Sequence, residues 1–369
     1  MFRHLMKRKA SIQQKLRRLA LYLSRRQGAK KAWRNRHRIV FQKHPDYNKQ
    51  VPIGFKTEHQ VKWSPFWRKV PLDTLKICYA TSGKAEPGLI PEEIFQADIE
   101  PSLNRYPEAH FLSNKSFYSK WLPDAGFPDC LMHKSDGRIL NYMYEPVSLE
   151  QLPDMLALFS YPVIVKPSVD SYGGSGVRIT ESPRELLEYI EEHSNLVVQQ
   201  LVRQSKDTAR FHPESLNTVR VYLYRSVRDN RIHIVNRAFR TGNGNRVDNV
   251  AAGGLISLLH ETGELNGYAL DRYGKKYRKH PVTKLPFKGK LPNSDGLDKL
   301  AKKVAGQLFH LRIVGLDLYC DEENKWNMLE MNTKGHSIRF AQYHGQPFFG
   351  EFTGEVIEYC KENHWAYTV

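Results

Sequence analysis

The sequence contains few cysteines and no long apolar run. Its four cysteines in 369 residues are scattered, with no CxxC pair and no histidine at the spacing of a metal site. A disulfide scaffold and a zinc module are therefore not indicated, and we expect reduced thiols in a cytoplasmic protein. No apolar run approaches the ~20 residues of a membrane-spanning helix. Residues 19–23, the longest such run near the N-terminus, are too few for the core of a signal peptide.

Acidic residues are missing from the first 44 positions, which carry fifteen Lys and Arg before the first acid at Asp46. The other positions hold 41 Lys and Arg against 39 Asp and Glu, so the net charge of +17 belongs almost entirely to this N-terminal segment. The rest of the chain needs no polyanion to explain its charge, and a nucleic-acid partner is not indicated.

The same segment has the pattern of an amphipathic helix. Four apolar residues, flanked by basic ones, fall on one helical face: Ile12, Leu16, Leu19 and Leu23. Such a helix can lie on an anionic membrane surface. It can equally dock on its own domain with a solvated basic face, and the sequence leaves both interpretations open.

Beyond that extension the sequence predicts an α+β protein. We divide the chain into a basic helical N-terminal extension (1–44), a region rich in proline and aromatics (45–110) and a main domain (111–369). In the main domain short apolar strands alternate with helices, one of which opens at a capping sequence that begins with Ser182.

The first chemical motif is a set of oxygen ligands on two predicted strands. Asp317 lies on a strand over 314–319, while Glu330 and Asn332 lie two positions apart at the end of a strand over 326–331, so the latter two share a face. Two carboxylates and an amide oxygen form a site suited to Mg²⁺. A hairpin with a solvated polar face is the alternative.

The strand register decides whether the first of these ligands joins the other two. If Tyr319 pairs with Trp326 across the turn, Asp317 lies opposite Met328 and all three ligands share one surface. A register with an odd turn would put Asp317 on the wrong face.

The second motif is a lysine that follows a buried strand and precedes a loop of small residues. Lys166 ends the apolar run 163–165, and the loop contains Ser171, Gly173, Gly174, Ser175 and Gly176. The lysine supplies charge, and glycines let backbone N–H groups approach phosphate oxygens. The segment matches neither GxxxxGK[ST] nor GxGxxG, so it is not a P-loop or a Rossmann fingerprint. A flexible hairpin turn is the alternative.

The third motif is an apolar strand that ends in amides: Gln199, Gln200, Leu201 and Val202. Its backbone can bind the edge of an adenine while its apolar side chains cover the ring. An ordinary strand end is the alternative.

In this order the motifs resemble those of the ATP-grasp superfamily, whose members clamp ATP between two α+β subdomains. Lys166 matches the family's lysine before the glycine-rich loop, and residues 199–202 match its adenine hinge, where many relatives have Glu in place of Gln199. The resemblance implies that Lys115 is a second phosphate ligand, although relatives often have Asp where Asn114 stands.

The resemblance also implies that Asp317, Glu330 and Asn332 are the Mg²⁺ ligands, with Thr333 next as in the D-alanine:D-alanine ligase branch. A closer resemblance is to the sugar-transfer-associated branch, which is found with polysaccharide biosynthesis genes. It rests on segments 99–104, 216–220, 247–254, 280–281 and 315–317, with Leu316 where many relatives have Trp.

This resemblance implies a ligase that uses ATP and Mg²⁺ to activate a carboxylate as an acyl phosphate, which an amine then captures. Arg220 and Arg240 are the expected catalytic contacts to carboxylate or phosphate oxygens. A structural ion pair is the alternative for each arginine. The loop over residues 171–176 would close over the phosphates and exclude water.

Two further hypotheses stay open. A kinase on the same fold would use the same ATP ligands and phosphorylate a hydroxyl. A non-catalytic polyanion-binding protein is supported only by the basic extension. We expect a cytoplasmic protein that can be peripheral on the inner membrane surface through residues 1–44.

Overall fold

A computed structural model of the chain describes residues 9–48, 50–169, 176–244 and 253–367. Within these ranges it has the expected α+β architecture, with two antiparallel sheets and helices packed on them. Their strands are β1 (Cys130–Ser135), β2 (Arg138–Asn141), β3 (Val163–Pro167), β4 (Arg178–Thr180), β5 (Leu196–Gln200), β6 (Thr218–Arg225), β7 (Ile232–Thr241), β8 (Leu255–Leu258), β9 (Ala269–Leu270), β10 (Lys276–Tyr277), β11 (Ile313–Cys320) and β12 (Trp326–Asn332).

The helices surround these sheets, and most of them are short. They are α1 (Ile12–Lys43), α2 (Ile53–Trp63), α3 (Asp73–Ser82), α4 (Glu92–Ile94), α5 (Glu100–Leu103), α6 (Tyr118–Trp121), α7 (Leu152–Ala157), α8 (Pro183–Glu192), α9 (Lys206–Ala209), α10 (Ser294–Gln307), α11 (Arg339–Gln342) and α12 (Thr353–Glu362). A π-helical turn, Phe95–Ile99, joins α4 to α5, so the chain is helical without interruption from Glu92 to Leu103.

The small sheet has the strand order β2-β1-β5-β3-β4. One of its faces carries the valines of β3 and packs on α7 and α8 through Leu156, Leu186 and Ile190. Lys166 lies directly opposite Val197, and Gln199 lies opposite Ile164. Because directly opposite residues share a face and side chains alternate along a strand, Lys166 and Gln199 both lie on the other face.

The large sheet has the order β10-β9-β8-β7-β6-β11-β12. One face packs on the apolar stripe of α10 through Leu297, Ala301 and Val304. The opposite face carries Tyr222 and Tyr224, which pack among the helices of the region 45–110. The division of the chain at residues 44 and 110 stays a prediction.

The expected N-terminal helix α1 is present, and Asp98 of the π-helical turn binds its Tyr22. One Asp98 oxygen accepts hydrogen bonds from Tyr22 at 3.1 Å and lies 2.9 Å from His364 Nε2, and the other accepts from Trp67 at 2.8 Å. This buried carboxylate therefore ties α1 to the region 45–110 and to the C-terminal residues.

The sequence left open whether the stripe of Ile12, Leu16, Leu19 and Leu23 docks on the domain, and the helix docks mainly through other residues. The residues that α1 buries are Tyr22, Ala29, Trp33, His37 and Val40. By contrast Ile12 is 70% exposed, Leu16 58% and Leu23 47%. The first turns of α1 therefore leave the domain with their apolar and basic side chains in solvent, because the aromatic residues that can fill the core begin only at Tyr22.

None of the helices in the described part of the chain is both long enough and apolar enough to cross a membrane.

Candidate functional site

The hairpin of β11 and β12 places Asp317 directly opposite Glu330. The register expected from the sequence is wrong at the turn, because Cys320, not Tyr319, pairs with Trp326. A bulge between the pairs Leu318–Met328 and Asp317–Glu330 adds one residue to β12, so that Asp317 pairs with Glu330 and not with the residue before it. The two carboxylates thus share a face by a route that the sequence pattern did not show.

Asp317 is held by two arginines from neighbouring strands. Arg220, directly opposite on β6, donates two hydrogen bonds of 2.6 Å to the two carboxylate oxygens, and Arg240 on β7 donates a third of 3.0 Å to Oδ2. Burial would raise the pKa of Asp317, but the two guanidinium groups outweigh it and lower that pKa. Both arginines therefore take part in a buried ion-pair network, in which Oδ1 accepts one bond from the residues that the structure describes.

Glu330 joins the two sheets electrostatically. Its Oε1 lies 3.0 Å from Nζ of Lys115, whose backbone N–H donates to Ser168 at the end of β3. Lys166 is buried on the facing side of the small sheet, where burial lowers its pKa to about 8. Glu330 opposes that shift and Lys115 adds to it, so both charges act on Lys166.

Asn332 lies at the end of β12, opposite Gly315. Its side-chain nitrogen is buried and has no hydrogen-bond partner among the described residues. The space at Gly315 is narrow, since a Cβ there would meet Tyr222 at 3.1 Å and His336 at 3.4 Å. The end of β12 is thus packed tightly, and the unpaired atom is an N–H donor, whereas a cation would bind the amide oxygen.

Sequence reasoning missed Glu100, Asn104 and His336, which lie behind this strand end. His336 contacts both Glu100 and the backbone oxygen of Asn332, and Asn104 donates to the backbone oxygens of Ile313 and Thr333. The only sequence signal was that Glu100 and Asn104 belong to segment 99–104, which carries the family resemblance.

The hinge motif begins with Gln199, which lies on the same face of the small sheet as Lys166. Gln199 donates to the backbone oxygen of Pro128 at 3.2 Å, and its Oε1 is buried without a partner in the described part of the structure. Gln200 donates instead to Ser160, and Leu201 and Val202 follow the strand half-buried. An acceptor such as Gln199 Oε1 suits an exocyclic amino group.

The small-residue loop is seen only at its end. Ser171, Gly173, Gly174 and Ser175 lie outside the described residues, as do positions 245–252. Gly176 has a φ of +73°, and a Cβ there would meet Pro167 at 2.7 Å. Only glycine therefore fits where this loop rejoins the sheet.

Donor chemistry tests whether Mg²⁺ fits these residues. A carboxylate has about four lone-pair positions, and Asp317 uses three for the arginines, which leaves one on Oδ1. Glu330 is 30% exposed at its side chain, and Asn332 supplies an amide oxygen. No group of three or more His, Cys, Asp or Glu that could hold a metal occurs among the residues described. Asp317, Glu330 and Asn332 together offer few protein oxygens, so the set fits a cation that takes its remaining ligands from phosphates and water.

Solved structures of other proteins match parts of this chain. The ADP complex of N5-carboxyaminoimidazole ribonucleotide synthetase matches at 16% identity with a TM-score of 0.37, over 61% of this chain and 45% of that one. The ATP-grasp ligase PsnB with precursor peptide PsnA2 and AMPPNP matches at 16% and 0.40, over 70% and 62%. The L-amino acid ligase from Bacillus licheniformis matches at 14% and 0.41, over 69% and 50%.

The chain thus spans less than two thirds of the length of each of these structures. No curated protein sequence matches the chain. The sequence model described as "Sugar-transfer associated ATP-grasp" matches residues 94–351, which include both sheets and every ligand discussed above. With that match over most of its length, the chain belongs to the sugar-transfer associated ATP-grasp family.

Proposed function

We propose that this chain is an ATP- and Mg²⁺-dependent ligase that activates a carboxylate as an acyl phosphate and joins it to an amine. The observation that carries the proposal is the ion pair of Lys115 with Glu330 on the large sheet, with the buried Lys166 of the small sheet in electrostatic reach of both. With Arg220 and Arg240 added, four cationic side chains surround two carboxylates. Such a concentration of cationic side chains suits a triphosphate.

The residues have separate roles in this proposal. Lys115 and Lys166 bind phosphate oxygens as point charges. The hinge from Gln199 to Val202 binds the adenine, with Gln199 Oε1 accepting from its amino group. Glu330, Asn332 and Oδ1 of Asp317 would hold Mg²⁺, which would neutralise phosphate charge.

The reaction needs positioning and charge neutralisation more than covalent work by the protein. An oxygen of the substrate carboxylate bonds to the γ-phosphorus as the bond from that phosphorus to the ADP oxygen breaks. A neutral amine then attacks the acyl carbon, phosphate leaves with the bonding electrons, and the amine loses a proton. Arg220 and Arg240, fixed by Asp317, neutralise the oxygens that gain charge.

Hydroxylamine trapping tests this chemistry without knowledge of the natural amine. The protein is incubated with Mg-ATP, hydroxylamine and a panel of uronic acids and N-acetylated amino acids. A ligase forms a hydroxamate together with equal amounts of ADP and phosphate. ADP without hydroxamate or free phosphate, and a phosphorylated hydroxyl product, would instead favour the kinase, which uses the same ATP ligands.

The family description and the basic extension support a setting for this reaction. We propose a sugar-linked carboxylate or amine acceptor in the assembly of a cell-surface glycan or a peptide-like product. We propose further that residues 1–44 contact the anionic cytoplasmic face of a membrane, since Ile12 and Leu16 are exposed among basic residues.

A further inference from the structure

A carboxylate from outside the two sheets reaches the back of the ligand-bearing strand end. Glu100, at the start of α5, is buried, and its Oε1 accepts from the backbone N–H of His336 at 2.8 Å. The same oxygen lies 2.7 Å from Nδ1 of that histidine, whose Nε2 lies 3.0 Å from the backbone oxygen of Asn332. The imidazole therefore stands between a fixed carboxylate and the last residue of β12.

We infer that Glu100 and His336 are positioning residues, which hold the end of β12 so that Asn332 and Glu330 can bind the metal that accompanies ATP. The inference rests on the proposed function, because it assigns these residues to the same nucleotide site. Neither residue touches the metal or the substrate in this assignment.

Among the described residues β11 is the one strand that pairs with β12, and directly after Asn332 the chain leaves the sheet. At the free edge of β12 the Tyr118 hydroxyl contacts the backbone N–H and oxygen of Met331, one residue before Asn332. An edge strand that must present two ligands loses metal affinity if its end moves by a fraction of an ångström. The Glu100–His336 pair supplies a lateral hydrogen bond to the carbonyl of Asn332.

Asn104 completes the support from the same helical segment. Its Oδ1 accepts from the backbone N–H groups of Arg312 and Ile313, and its Nδ2 donates to the oxygens of Ile313 and Thr333. One side chain thus ties the start of β11 to the residue that follows β12. The spacing of the two strands at the ligand end is fixed from outside the sheet.

The helical segment Glu92–Leu103 also offers a matched control. Asp98 is a second buried carboxylate, it too contacts a histidine, His364, and it lies two residues before Glu100. Its partners belong to α1, to Trp67 and to the C-terminal residues, and not to β12. A general loss of packing in this segment would therefore follow from substitution of either Asp98 or Glu100, whereas a loss of metal positioning would follow only from substitution of Glu100.

The test measures Mn²⁺, as a spectroscopic probe for Mg²⁺, bound to the full chain with the ATP analogue AMPPNP, by electron paramagnetic resonance. We expect Glu100→Ala to weaken Mn²⁺ binding about tenfold or more. Glu100→Gln, which keeps the acceptor oxygen, recovers most of that affinity. Asp98→Asn lowers the midpoint of thermal unfolding and leaves the Mn²⁺ affinity within about twofold.

Two results separate this inference from the proposed function. If wild-type protein holds no Mn²⁺ with the nucleotide, the proposed function fails with the inference. Circular dichroism checks that Glu100→Gln and Glu100→Ala are folded. If wild type and both folded variants bind Mn²⁺ equally well, only the positioning role is overturned. An equal loss of Mn²⁺ affinity in Asp98→Asn would also overturn it, by showing that any damage to the segment has the same effect.

Discussion

Lys166 is the side chain whose ionisation bears most directly on nucleotide binding. A buried lysine with a pKa of about 8 is charged below that pH and neutral above it. We therefore expect the affinity for Mg-ATP to fall as the pH rises through about 8, because the phosphate loses a cationic contact. Calorimetric titrations between pH 7 and pH 9.5 measure this, and a pH-independent affinity would contradict it.

Replacement of the same lysine separates its charge from its bulk. Lys166→Met should weaken Mg-ATP binding by ~1.5–3 kcal/mol, the range for a hydrogen bond to a charged group, and should remove the pH dependence around 8. Lys120→Met, an exposed lysine on α6, is the control and should leave both unchanged. An unaltered affinity in Lys166→Met would remove this residue from the phosphate site.

Glu330 tests the metal assignment at the residue scale. Glu330→Gln keeps size and polarity but removes the charge that faces Lys115 and the metal, so turnover should fall by at least about a hundredfold. The unfolding midpoint should hardly change, because the side chain is partly exposed. Glu323→Gln, in the exposed turn of the same hairpin, should keep full activity. A nearly active Glu330→Gln enzyme would remove this residue from catalysis.

At the scale of elements, α1 consists of two halves with different surroundings. From Tyr22 onward it is part of the core, so a deletion that includes Tyr22 and Ala29 would damage the fold. Before that point it is solvated and basic. The sequence could not distinguish the halves, because the stripe of Ile12 and Leu16 is the stronger periodic signal and the docked face depends on aromatic residues that fit pockets of the domain.

The solvated half gives a test of membrane contact. Ile12→Asp/Leu16→Asp should abolish co-sedimentation with phosphatidylglycerol vesicles, because it removes the apolar stripe and places acids beside the basic groups. Leu158→Asp, at a leucine that is 84% exposed in the main domain, is the control and should sediment like wild type. Equal sedimentation of the double variant, or none by wild type, would rule out this role.

At the scale of the whole molecule, the junction of α1, α3 and α4 buries acids at a cost. Glu92 is 1% exposed, and neither of its oxygens has a hydrogen-bond partner in the described part of the chain. Burial raises its pKa from 4.5 to about 8, with Arg339 and Arg36 opposing and Glu93 adding to the shift. Folding thus binds a proton that the unfolded chain releases above pH 4.5.

This linkage fixes the sign of a stability prediction. Between pH 4.5 and about 8 the folded state holds the Glu92 proton and the unfolded state does not, so this group's contribution to stability falls as the pH rises. Glu92→Gln should therefore raise the free energy of unfolding relative to wild type more at pH 8.5 than at pH 5. The difference between the two pH values should be of the order of 3 kcal/mol. Urea unfolding at the two pH values measures the difference, and a pH-independent effect of the substitution would contradict the prediction.

Much of this protein was decided by local pattern. Short apolar runs predicted the strands at Val163 and Leu196, because a strand that is buried on both faces needs apolar side chains on both. The ordered motifs also predicted the ATP-grasp family, which the match over residues 94–351 confirms. The individual ligand roles of those motifs stay predictions.

Tertiary structure alone decided which partners those residues have. The bulge opposite Leu318 sets the register of the hairpin, since one extra residue changes the face of every side chain beyond it and leaves no mark in the pattern. The contacts of Asp317 with Arg240, and of Asn332 with His336 and Glu100, join residues far apart in the chain. Sequence determined which groups are proposed to bind a metal nucleotide, whereas the contacts between them depended on long-range packing, because local periodicity carries no information about distant neighbours.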